Sequence, residues 1–305
     1  MKRLPLLLVV VALAVAACAG GASPAPPGSP PAASPGPTDV PNGSVPPGDR
    51  TGLLLRIDVG GGLVPPQVPL VQLPQVAIYA DGRMITPGPL IEIYPGPALP
   101  NIQVTMLSGV GLARVVDLAR AAGLVGPDRV LQAQGIADAP ATVFTAVLDG
   151  QRHVTSAIAL GSESGIAVPD ADLAVRRALL ALEQALVDIR SVPGSIVGDD
   201  RPYTWTALRV VVTSDLGTGD PQVRPGVIGW PLRPGLDAFG EAVVADGSLR
   251  CGVLEGEQLA TIRAALAQSN ELTRWQSGAT QYRLLLRPLY PEESGCVTGP
   301  APTGA

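Results

Sequence analysis

The chain has 305 residues, room for one large domain or two ordinary ones, and its 46% hydrophobic and 15% charged residues exclude wholesale disorder. Aromatic residues make up only 3%, so Val, Leu, Ile and Ala must fill the core. The formal net charge is −5 and no Lys or Arg run follows the first residues, which excludes nucleic acid as a partner, because a phosphate backbone needs clustered positive charge.

Lys2 and Arg3 form a short positive region, and Leu4 to Val15 is an apolar run of about a dozen residues, too short to span a bilayer, which takes roughly 20. The length suits the apolar part of a secretory signal peptide over residues 1–17. Val15-Ala16-Ala17-Cys18 then resembles the lipobox of bacterial lipoprotein precursors. That resemblance implies cleavage before Cys18, lipidation of its thiol (diacylglyceryl and palmitate chains) and a membrane partner through the anchor, at the outer face of the bacterial cytoplasmic membrane or in the cell envelope. The alternative is an ordinary signal peptide cut near Ala17, with Cys18 incidental. Residues 18–50 are dominated by Pro, Gly, Ser and Ala, which cannot build a core, and are expected to form a disordered tether.

A strand over Leu53 to Val59 opens the first folded module, residues 51–190. Val76 to Ile85 holds Asp81-Gly82 between two apolar runs, a hairpin signal, since a type I′ turn needs φ > 0 at both central positions. Leu90-Ile91-Glu92-Ile93-Tyr94 is a short apolar piece between Pro-Gly turns. Ser108 can cap a helix whose apolar face is Leu112, Val115, Val116 and Ala119. Thr142 to Leu148 predicts a strand that turns at Asp149-Gly150 and returns to about Ile158. Asp170 is expected to cap a longer helix running to about Arg190, with Val175, Leu179, Leu182, Leu186 and Ile189 on one side and Arg176, Arg177, Glu183 and Asp188 facing away. Residues 191–202, with Pro, two Gly and adjacent acids, predict a linker.

The second module, residues 203–297, repeats the order: a strand over Leu208 to Val212, a hairpin at Asp246-Gly247, a helix through Leu259, Ile262 and Leu266, and a closing strand from Thr280 to Leu286. Residues 298–305 read as a disordered tail. The repetition points to an internal duplication; the alternative is two unrelated units sharing a hairpin. The expected fold class is α+β: two related modules of mainly antiparallel sheet with packed helices after a disordered N-terminal tether. The stretches Ile78 to Ile85, Leu107 to Leu124, Asp138 to Leu160 and Pro169 to Ile189 are together similar to an uncharacterised domain of secreted bacterial lipoproteins. The resemblance covers most of residues 51–190, more weakly 203–297, and implies no activity.

With Cys18 assigned to lipid, Cys251 and Cys296 remain, and an exported chain favours a disulfide between them. A metal or redox pair is the alternative. His153 is the single histidine, far away in sequence, and no CxxC occurs. Other motifs fall short of chemistry. Gly60-Gly61-Gly62 lacks the GK[ST] of a phosphate loop and reads as a turn. Gly161-Ser162-Glu163-Ser164-Gly165 lacks GxSxG spacing and reads as a loop before a helix. His153 is expected to be an exposed strand residue. Asp199-Asp200 and Glu292-Glu293 are expected to be solvated. Trp205 and Trp275 are expected in the core, with Trp230 balanced between core and an exposed binding position.

No catalytic, cofactor-binding or metal-ligating residue is assigned, and no cofactor is expected. The functional expectation is a lipid-anchored, non-enzymatic envelope component that binds an envelope protein, a glycan or a small ligand. The alternatives are a secreted hydrolase using a carboxylate pair, and a solute-binding lipoprotein.

Overall fold

The fold, taken from a computed structural model, is described for residues 52–162, 164–217 and 223–296. Cys18, the expected signal peptide and tether, and the expected tail at 298–305 lie outside these residues. All described residues belong to one compact unit. The expected α+β class is the observed one: two sheets, of eight and six strands, carry helices on their outer faces.

The first half runs β1 (Leu53–Gly60), α1 (Val68–Val71), β2 (Val76–Tyr79), β3 (Arg83–Pro87), β4 (Ile102–Leu107), α2 (Gly109–Ala121), β5 (Arg129–Leu131), β6 (Ala141–Leu148), β7 (Gln151–Ile158), α3 (Asp170–Val187) and a 3-10 turn over Asp188–Ser191. It ends in β8 (Ile196–Pro202). The second half runs β9 (Ala207–Thr213), β10 (Val227–Gly229), β11 (Glu241–Ala242), β12 (Leu249–Glu255), α4 (Gly256–Leu266), β13 (Arg274–Ser277) and β14 (Thr280–Pro288). Strand order is β5-β7-β6-β1-β2-β3-β4-β8 in the first sheet and β10-β13-β14-β9-β12-β11 in the second. Pairing is antiparallel except at one edge of each sheet, β5 with β7 and β10 with β13.

Residues 196–202 are a correction to the expected linker. They form β8, hydrogen-bonded to β4 with a register shift between Val104 and Met106. Gly and paired acids are compatible with an edge strand, where charges and irregular register discourage further pairing. The repeat seen in sequence is also not a repeat of threading. The Asp81-Gly82 hairpin meets the central strand β1 through its first arm, β2, whereas the hairpin at Asp246-Gly247 meets β9 through its second arm, β12. The other flank is reversed as well: β6 leads its hairpin and lies beside β1, while β14 closes its own and lies beside β9.

Alternation along the strands sorts the faces. Leu55, Ile57, Val76, Ile78 and Phe144 point into a core closed by Val115 and Ala119 of α2 and Leu179, Leu182 and Leu186 of α3. The Ser108 hydroxyl caps α2, accepting from the backbone N–H groups of Val110 (3.1 Å) and Gly111 (3.2 Å). Gly111 is required for another reason: a Cβ there would stand 2.4 Å from the Ser195 carbonyl oxygen. In α3 the cap position is Pro169, and Asp170 is instead the first helical residue, where it and Asp172 complement the positive end of the helix dipole. In the second sheet Leu208, Val210, Val212, Leu284 and Leu286 pack with Trp275 and with Leu259, Ile262 and Leu266 of α4.

The opposite faces are joined by two exchanged pieces. α1, inserted between β1 and β2, lays Leu70 among Val211, Leu249 and Cys251 of the second sheet. The C-terminal strap, residues 289–296, lays Tyr290 among Leu53, Ala77, Tyr79, Ile85 and Ile102 of the first. The expected disulfide is present: Cys251 and Cys296, with Cα atoms 5.9 Å apart, tie the strap to β12.

Candidate functional site

Two places concentrate chemistry, and they differ in what is left free. The first is the buried cluster between the sheets. Arg56 of β1 grips Asp58 through Nε and Nη2, at 2.8 Å each. It also donates to Glu292 (2.6 Å) and Glu293 (2.8 Å) of the strap. Arg287 of β14 holds Glu293 in a bidentate pair at 2.7 Å. The Tyr290 N–H adds a bond to Glu293 at 2.9 Å, and the Tyr79 hydroxyl donates to Glu292. Arg209 donates to the carbonyls of Leu70 and Gly295, and Arg287 Nε to that of Gln72, so the exchanged pieces are fastened at both ends.

Electrostatics follow from that layout. Burial pushes the Glu293 carboxyl up, but the Arg287 hydrogen bonds and the charges of Arg56 and Arg287 outweigh it and hold the group at about 2. Burial, with the Arg287 charge nearby, lowers Arg209 to about 10. Burial first, then the Glu292 charge, pushes Tyr203 up to about 12. Three Arg (56, 209, 287) face three carboxylates (58, 292, 293), so the cluster is balanced. Glu292 and Glu293 are adjacent acids, and each accepts from a buried Arg.

The second place is a groove in the first module, about 560 Å³, between α3 and the β1–β3 region of the sheet. Ile57, Val76, Met84, Leu180, Leu186 and Val187 give it apolar walls, and Gln75, Thr86, Gln184 and Glu183 supply polar points. The volume lies within the range of small-ligand pockets. Glu183 is half-buried and is the single ionisable residue of the lining. No donor or cation among the described residues bonds its carboxylate, and burial alone raises its pKa. An unpaired, partly desolvated carboxylate on an apolar wall is an electrostatic demand for a cation or donor.

The sequence candidates are redistributed. Glu292-Glu293 are not solvated; they are the anions of the buried cluster. Asp199-Asp200 lie on the edge strand β8, where Asp200 accepts from Thr105 at 2.6 Å and pairs with Arg190. Arg176 does not face away: it is fully buried and donates to the carbonyls of Leu131, Ile158 and Ala159. Glu183, placed on the same outward face, instead borders the groove. His153 is half-buried on β7, its Nδ1 2.7 Å from the Gly126 carbonyl, rather than exposed. Gly60-Gly61-Gly62 ends β1 in a turn, with Gly61 and Gly62 at positive φ. Trp275 is core and Trp205 is stacked under Arg263. Trp230 also packs on the second core, edge-to-face with Phe239 and Trp275.

The groove gave no sequence signal, because its lining comes from three strands and a helix far apart in the chain. Among the described residues no group of three or more His, Cys, Asp or Glu side chains could hold a metal ion. No helix among them is long and apolar enough to cross a membrane. No protein-family model, no curated protein and no solved structure matches the chain.

Proposed function

We propose that the protein is a lipid-anchored envelope component, held through Cys18, that binds a small amphiphile with an apolar stem and an amine or similar donor head. The observation that carries the reading is the groove of β1–β3 and α3: apolar walls around one carboxylate, Glu183, that has no partner. Apolar area supplies affinity, and the carboxylate orients and selects the head group. The carboxylate-pair hydrolase is less well supported, since the groove lining holds one acid and the adjacent pair Glu292-Glu293 is committed to Arg56, Arg287 and Tyr79. The solute-binding reading expects larger lobes of alternating strand and helix with parallel sheets, and these sheets are mainly antiparallel.

Displacement of a neutral apolar dye by dodecylamine and by dodecanoate tests the reading. Dodecylamine is expected to bind at least tenfold tighter at pH 7, about 1.4 kcal/mol for the head-group contact. Glu183→Gln is expected to erase that difference while leaving the dye affinity unchanged. The preference should also fade as pH falls through the raised Glu183 value, because protonation removes the charge. Equal affinity for the two head groups, or no displacement by either, would remove the basis of the proposal. The anchor is checked separately: labelled palmitate should enter the chain and be lost in Cys18→Ser, and label retained in that variant would refute attachment there.

A further inference from the structure

Three connections at one end of the first sheet are apolar and carry no positive charge, although Arg201 of the edge strand β8 lies at the same end. Register fixes which loops meet there. Gly60 pairs with Ala141, Ile57 with Val76 and Pro87 with Ile102. The connections 61–67, 88–101 and 132–140 therefore emerge at the same end. Gly52 and the Asp81-Gly82 and Asp149-Gly150 turns lie at the other, since Leu53 pairs with Tyr79 and Leu148 with Gln151.

These three connections contain no Lys or Arg, and their acids are Glu92 and Asp138 alone. They display Leu63 and Leu90 almost fully exposed, at 86% and 88%, with Ile91, Ile93 and Tyr94 more than half exposed and Val64 and Ile136 less so. The piece expected from sequence as a bracketed apolar segment, Leu90 to Tyr94, is thus an outward loop tip. It is held out rather than left slack. Gly88 N–H donates to the Asn101 carbonyl and the Asn101 side chain to that of Pro89, both at 2.9 Å, closing one root. Gly96 exchanges bonds with Glu271 of the second module, and Ala98 and Leu99 pack on the second core, closing the other.

We infer that this end is a membrane-contacting surface, whose loop tips enter the acyl region of a lipid layer. Protein interfaces draw their affinity from Arg, Trp and Tyr anchors set in packed pockets with a polar rim. Here the exposed residues are aliphatic, come from separate loops, and include one aromatic, Tyr94, of the kind that sits at head-group level. With no Lys or Arg on the three loops and one Arg, Arg201, on the neighbouring edge strand, the contact does not depend on a basic cluster, which distinguishes it from polybasic attachment. Gly52 lies at the far end, and a Pro-rich stretch of the length of residues 19–50 reaches on the order of 100 Å when extended, several times the length of β1. The inference stands on the loops and is independent of the groove reading.

Flotation with phosphatidylcholine vesicles tests it. Every core cluster and the disulfide fall within residues 52–296, so a chain beginning at Pro41 keeps the folded body without Cys18 or the apolar leader. That chain is expected to float with neutral vesicles equally in low and high salt. A Leu90→Ser, Ile91→Ser, Ile93→Ser variant should bind at least tenfold more weakly with an unchanged thermal midpoint, and Leu63→Ser, on a separate loop, should weaken binding further. Flotation that requires anionic lipid, that salt abolishes, or that survives the triple variant would overturn the inference. So would absence of flotation with self-association of the body that the same variant abolishes, which would assign the surface to protein contact.

Discussion

Glu293 shows how much a single side chain can carry when it is buried between two guanidinium groups. Its carboxyl is held at about 2 against an ordinary value of 4.5, so the folded state binds this proton far less readily than the unfolded chain. The depression makes the contribution fully present above about pH 4.5 and progressively lost as pH falls towards 2, on the order of 3 kcal/mol in all. Glu293→Gln is expected to flatten that part of the stability profile. At neutral pH it should also cost about 3–5 kcal/mol, because Arg287 and Arg56 would each keep a buried charge short of its partner. Urea midpoints at pH 2.5, 4.5 and 7 check both statements. A variant with the wild-type slope below pH 4.5 would place the titrating group elsewhere.

At the scale of elements, what was legible in the sequence was what is encoded locally. Both Asp-Gly pairs mark hairpins as expected, but only Asp149-Gly150 takes positive φ at both central positions; at the first hairpin Gly82 alone does, and Asp81 does not. Ser108 caps α2, and the spacing of Leu179, Leu182 and Leu186 marks the buried stripe of α3. The strand over 142–148 was found within one residue of its start. What failed depends on contacts distant in sequence. Arg176 lies three residues before Leu179, within the buried stripe, but polarity alone argued for solvent; the carbonyls it satisfies belong to β5 and the end of β7. Glu292 and Glu293 look like a solvated tail until Arg56, 236 residues away, is brought to them. Residues 196–202 look like a linker because edge strands tolerate the same Gly and Asp that linkers use. Cys251 and Cys296 were legible because, on the expectation of export, two remaining thiols leave few alternatives, whereas the groove required the packing angle of α3 on the sheet, which no local pattern states.

For the molecule as a whole, the exchange of α1 and the strap decides how it unfolds. The face of the second sheet opposite its helix is completed by Leu70 of the first half, and the corresponding face of the first sheet by Tyr290 of the second. Separating the halves would expose both apolar patches and strand the charges of Arg56, Arg209 and Arg287, so neither sheet has a low-energy state alone. A single cooperative transition is therefore expected, although the sequence divides naturally into two modules. The three tryptophans, Trp205, Trp230 and Trp275, all belong to the second half, so their fluorescence reports that half, while far-ultraviolet circular dichroism reports both. The two probes should give the same urea midpoint and the same slope. Reduction of Cys251–Cys296 should lower the stability read by both probes equally, by about 2–4 kcal/mol, because the strap it fastens belongs to both cores. A fluorescence midpoint that departs from the dichroism midpoint, or that alone moves on reduction, would mean that the second sheet melts independently and that the exchanged pieces do not couple the halves.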